Sequence, residues 1–101
     1  MPMGLGLVMA RKVTFRVHAL RRMFERGISV EDVESVLDAG EVVESYPEDR
    51  PYPSRLQLGW RGGQPLHVVA AENLGDNELI VITAYEPDPA HWEPEFKRRK
   101  L

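Results

Sequence analysis

Two short apolar runs organise the pattern: Leu66-His67-Val68-Val69-Ala70-Ala71 and Leu79-Ile80-Val81-Ile82-Thr83-Ala84-Tyr85. Both are rich in β-branched residues. Gly62-Gly63 precedes them, Gly75-Asp76-Asn77 separates them and Pro87 follows, which is how paired strands are bounded. The runs are apolar at nearly every position, so both faces of the hairpin should be covered. A third strand, Arg55 to Trp60, alternates, with Leu56, Leu58 and Trp60 inward and Arg55 and Gln57 outward. Glu41 to Tyr46 is a fourth strand, stopped by Pro47 and followed by a proline-rich loop.

The period changes upstream. Leu20, Met23, Phe24 and Gly27 recur at helical spacing, and Val33, Val36 and Leu37 do so again after Val30. These spacings predict helices over about 18–26 and 30–39, joined by a linker of about two residues. Gly27 supplies the left-handed stop of the first helix. Ser29 and Asp32 form a capping pair at the start of the second, and Gly40 ends it. Val13–Val17 has strand chemistry but is brief: it either leads into the helix or makes a short edge strand. Beyond Tyr85, Ala90-His91-Trp92 should lie back across the sheet, and Pro94 limits any last helix to 95–100. The expected architecture is α+β: two N-terminal helices packed on one face of a four-stranded antiparallel sheet. The other face is left for the tail, a ligand or a partner.

The length of 101 residues fits a single domain, expected over 13–101 after a flexible leader, 1–12. There is no cysteine, which removes disulfides, thiolate chemistry and cysteine-containing zinc sites and suits a reducing cytoplasm. His18, His67 and His91 have no metal-ligand spacing, so neither a metal nor any other cofactor is expected. No run approaches the roughly 20 apolar residues of a membrane span, and the N-terminus lacks the basic start of a signal peptide. Asn and Gln number only two each while Arg and Glu abound, a hint of a thermophilic source.

The net charge of −3 conceals segregation. Residues 11–26 carry six basic groups against Glu25 alone; residues 31–49 carry eight acids and no base. A basic side of this kind suits nucleic acid and an acidic side suits a basic partner. On the first helix His18 and Arg22 project in nearly one direction, with Arg21 and Arg26 flanking.

His18-Ala19-x-x-Arg22-Met23-x-Glu25-Arg26-Gly27-Ile28-Ser29, Gly40-Glu41, Pro65-Leu66-His67-Val68-Val69 and Ile82-Thr83-Ala84-Tyr85 with Pro87-Asp88-Pro89 and Trp92 resemble a small bacterial family, domain of unknown function 4258. The resemblance spans about residues 17–99. The same order of elements resembles the BrnT-type toxins, which belong with the RelE-like ribonucleases. That implies a RelE/BrnT-like fold and a type II toxin that cuts messenger RNA, in places on the ribosome, without a metal. It also implies a cognate antitoxin. This sequence departs from the BrnT pattern at Tyr85, where those toxins carry arginine. Metal-independent cleavage needs a base, an acid and cations. His18 or His67 could serve as base or acid, the two facing a common groove with Arg22 and Arg55 at its rim, and Tyr85 as proton donor; Arg22, Arg26 and Arg55 could contact RNA phosphate. Two non-catalytic alternatives stand beside this: a binding module for a partner protein or RNA, and an interaction protein whose sheet face pairs with a second copy as a homodimer.

Overall fold

The computed structural model describes residues 11–101. The expected leader therefore lies outside the described residues except for its last two positions, and the second of these, Lys12, already begins a strand.

Eight elements follow one another: β1 (Lys12–Phe15), α1 (Val17–Arg26), α2 (Val30–Ala39), β2 (Glu41–Tyr46), β3 (Ser54–Arg61), β4 (Gln64–Asn73), a 3-10 turn (Leu74–Asp76) and β5 (Glu78–Tyr85). The four expected strands form an antiparallel meander, β2-β3-β4-β5. The sheet nevertheless has five strands and is mixed, because β1 adds to the outer edge of β5 in parallel, from Lys12↔Glu78 to Phe15↔Val81. Four residues are too few for a period to declare itself. What places them is tertiary: Val13 and Phe15 pack against the core, and Lys12 and Arg16 donate backbone N–H groups to Asn77 and Val81.

The helix ends follow local chemistry. Ser29 Oγ accepts from the Asp32 amide and the Asp32 carboxylate accepts from the Ser29 amide, both at 3.0 Å, closing the capping box. Gly27 takes φ 68°, so the chain turns off α1 in the left-handed conformation. Both helices cover one sheet face. There Ala19, Met23, Ile28, Val33, Val36 and Leu37 join Leu66, Val68, Ala70, Leu79, Val81 and Ala84 in the core. Two residues expected there are outside it: Leu20 is 43% and Phe24 87% exposed. Small Ala19 takes the seat instead and lets α1 approach the sheet closely.

β3 also turns over relative to expectation. Gln57 is buried on the helix face, where its amide donates to Val36 and Gly40 carbonyls at 3.2 Å; Arg55 lies beside it, donating to Gln57 Oε1. Val36 O already accepts the Gly40 amide at 2.7 Å, so the Gln57 amide is a second donor there and adds a donor for the Gly40 carbonyl past the helix end. Leu56, Leu58 and Trp60 consequently face the other side, and Trp60 stays 55% exposed.

That second face carries the C-terminal tail. No helix forms over 95–100. Instead residues 91–100 fold back on themselves: the Glu93 amide donates to Arg98 O at 2.8 Å, and the Lys100 amide donates to His91 O at 2.9 Å. Trp92 is buried against the sheet, as its position after Pro87 and Pro89 predicted. None of the described helices is long and apolar enough to cross a membrane.

Candidate functional site

Two surfaces carry the chemistry that the sequence singles out, and they lie in different layers.

The first is a polar row beneath the tail. His67 on β4 pairs with Leu58 and with Tyr85, so its ring points to the tail side while Leu66 and Val68 point to the helices. His67 is fully buried. Its Nε2 lies 2.8 Å from Phe96 O, and a carbonyl can only accept, so Nε2 carries the proton. Nδ1 is then free to accept from the Tyr85 hydroxyl, at 3.4 Å. The rings of Trp92 and Tyr85 meet the imidazole edge-on, with centroids 4.5 and 5.4 Å away. Burial holds the His67 pKa below its ordinary 6.5, so the ring is neutral at neutral pH. Both nitrogens are occupied and no face is open.

Glu44, Tyr46 and Arg99 continue the row, and the sequence pattern missed all three. A bulge between Val42 and Glu44 resets the alternation of β2; Glu41 and Glu44 thereby share the tail face although three positions apart. Arg99 grips Glu44 with Nε at 3.0 Å and Nη2 at 3.2 Å, and its guanidinium lies 4.6 Å from the Trp92 ring centroid. Tyr46 donates its hydroxyl to the same carboxylate. Partial burial pushes the Glu44 pKa up, but Arg99 and Tyr46 outweigh it and the net shift is down. Burial raises Tyr85, and burial followed by the Glu44 hydrogen bond raises Tyr46. Lys97 adds an ion pair to Glu41 at 3.2 Å, and Phe96 meets Trp60 edge-on. His67, Glu44, Glu41 and Trp60 thus fasten the tail to the sheet directly, and Tyr85 and Tyr46 back His67 and Glu44.

The second surface is the outer side of α1. His18 is exposed there, in the layer opposite His67, so the two histidines do not share a groove. Arg22 pairs with Glu25 at 3.7 Å. Arg26 donates to Ala84 O at 2.9 Å and shares a shallow cleft with Tyr85 and Glu86; Arg26 and Tyr85 are the only predicted site residues that meet there. Arg55 is remote from both, held by Glu72 at 3.2 Å on the helix face of β3. What α1 does present is an apolar stripe: Val17 is 69% exposed, together with Leu20 and Phe24. Arg16 and Arg21 stand exposed beside it, and neither has an ion-pair partner among the described residues.

Between the layers, Arg61 ties the helical turn to the end of β5. It donates to Gly27 O at 2.8 Å, Asp32 at 2.9 Å and Glu86 at 3.1 Å. Among the described residues, no group of three or more His, Asp or Glu side chains is gathered as metal ligands would be.

A family model described as Domain of unknown function (DUF4258) matches residues 15–86, which takes in β2 to β5, both helices and only the last residue of β1, and stops before the tail. No curated protein and no solved structure matches the chain.

Proposed function

We propose that this chain, which belongs to the family described as Domain of unknown function (DUF4258), is a non-catalytic binding module that docks a partner protein on the outer face of α1. The observation that carries the reading is the 87% exposure of Phe24, in line with exposed Val17 and Leu20 and flanked by arginines. Scattered exposed apolar residues are ordinary, but a contiguous stripe with charged flanks has the composition of an interface. Each large side chain covered there contributes about 1.5–3 kcal/mol.

The endoribonuclease implied by the likeness to BrnT-type toxins asks for a base, an acid and cations in one open groove. His67 has both ring nitrogens engaged under the tail, and His18, Arg22 and Arg55 lie on other surfaces. That distribution favours binding over cutting.

Co-expression with the product of the adjacent gene tests the proposal. A complex should co-purify at low salt, and Phe24→Glu should abolish it while the chain stays folded. Expression of the chain alone should leave growth and messenger RNA intact. Growth arrest with RNA cleavage, lost in His67→Gln, would instead establish the enzyme.

A further inference from the structure

We infer that the segment received by α1 is an acidic amphipathic helix, with apolar residues set on Val17, Leu20 and Phe24 and carboxylates beside Arg16 and Arg21; this rests on the binding-module reading above.

The geometry of the stripe comes first. At 100° per residue Val17, Leu20 and Phe24 fall within a sector of about 60°, and they extend about 10 Å along the axis. Ala19 and Met23, which bury α1 against the sheet, occupy the neighbouring sector, centred about 110° away. The stripe is therefore a second apolar face on a helix that has already used one to fold. Its backbone is paired internally, so a strand cannot add to it. Recognition must go through side chains, and a helix lays its own stripe into such a surface at an interaxial distance of about 8–10 Å.

Charge then selects the occupant. Arg22 is partly answered by Glu25, and Arg26 is spent on the Ala84 carbonyl. Arg16 and Arg21 remain for carboxylates from outside. Two copies meeting α1 to α1 about a twofold axis centred on the stripe would set Arg21 against its own equivalent, and like charges across an interface are costly. Docking α1 on α2 of a second copy answers the charge, since Glu31, Glu34 and Asp38 are exposed there. It leaves Phe24 uncovered, because the large apolar residues Val33, Val36 and Leu37 are already buried. That contact is also heterologous and continues into a filament unless its rotation closes a ring. RNA would use Phe24 as a stacking ring, but Val17 and Leu20 offer no π face for neighbouring bases. An acidic helix from another protein satisfies both the stripe and the arginines.

The probes are fluorescein-labelled peptides of roughly 15 residues, long enough to hold a helix. One is built from Leu, Glu and Ala with its leucines on a single helical stripe. A second has the same composition permuted to scatter them, a third replaces Glu by Lys, and a short single-stranded RNA completes the set. Fluorescence anisotropy is read at low and high salt on the parent and on Phe24→Ala, Arg21→Glu and Ser35→Ala, the last an exposed control on α2. The acidic stripe peptide should bind, and rising salt should weaken it. Permutation and Phe24→Ala should each cost about tenfold or more, Arg21→Glu should weaken binding, and Ser35→Ala should change nothing. If the permuted peptide, the lysine peptide or RNA binds better through Phe24, the acidic helix is overturned while a docking surface on α1 stands. If the acidic peptide binds Phe24→Ala as tightly as the parent, both fail. No binding by any probe also overturns the inference, and the co-expression experiment then decides the reading beneath it.

Discussion

Replacing His67 with leucine should free the tail without unfolding the sheet. Leucine keeps comparable bulk and removes both ring nitrogens. The Phe96 carbonyl, 2.8 Å from Nε2, then loses its donor, and a buried acceptor left unpaired costs about 1–3 kcal/mol. The edge-on contact with Trp92, at 4.5 Å between centroids, also disappears; such pairs contribute about 0.5–1.5 kcal/mol. The Tyr85 hydroxyl at 3.4 Å adds little, being near the limit of a hydrogen bond. The sum, about 1.5–4.5 kcal/mol, has a ceiling: once the tail swings into water its orphaned groups are solvated, so the loss cannot exceed the free energy of docking the tail. The effect should therefore appear as local opening. At 2 kcal/mol the open population rises roughly thirtyfold. Amide hydrogen exchange reads this directly. The Glu93 and Lys100 amides, bonded to Arg98 O and His91 O, should exchange about thirtyfold faster in His67→Leu. Amides of Val68 and Val81 in the central strands should keep their parental rates. Tail amides that exchange within about twofold of the parent would show that His67 does not anchor the tail, and the argument fails.

Acidification should act at the same place: the folded pKa of His67 lies below the unfolded 6.5, so its contribution is fully present above about pH 6.5 and is lost as pH falls below it. Urea midpoints between pH 7.5 and 5.5 should show the drop in the parent and not in His67→Leu. Gln57→Leu removes the amide that serves Val36 and Gly40 carbonyls and should cost about 1–3 kcal/mol at unchanged m-value in urea. Gly59→Ala would place a methyl 2.6 Å from Val36 Cγ2 and 3.3 Å from its Cα; α2 must shift, and melting should show a loss of about 1–3 kcal/mol, roughly 4–8 °C for each.

The parts of the fold readable in the sequence were those whose signals are local. Ser29 and Asp32 declare the start of α2, Gly27 the end of α1, and the β-branched runs declare β4 and β5. Phase was the weak point. On α1 two apolar stripes compete, and hydropathy favours the larger Leu20 and Phe24 over Ala19, although close approach to the sheet favours alanine. On β3 the polarity of Gln57 points outward by rule, yet α2 ends over it with carbonyls needing a donor. The site suffered from a further limit. Alternation shows that His67 shares a face with Tyr85, and they do meet; it says nothing of which face the helices take, so His18 and His67 were paired across a sheet that separates them. Arg99 and Glu44 could not be joined because the bulge in β2 and the return of the tail are both tertiary.

The tail begins where the family pattern ends, at residue 86. The portion shared with relatives is thus a tray with one side finished by its own helices and the other side left to whatever follows. In this chain fifteen residues, 87–101, do the finishing, and they do so with the side chains of Arg99, Phe96 and Trp92, whose partners, Glu44, Trp60 and His67, lie inside the shared part. A chain ending at residue 86 would keep every strand and helix and yet bare Leu56, Leu58 and an unpaired imidazole to water. Relatives ending there need a different lid, supplied by a longer chain or by another molecule. Sequence variation after residue 86 is consequently the place to look for how members of one scaffold come to differ in what covers that face.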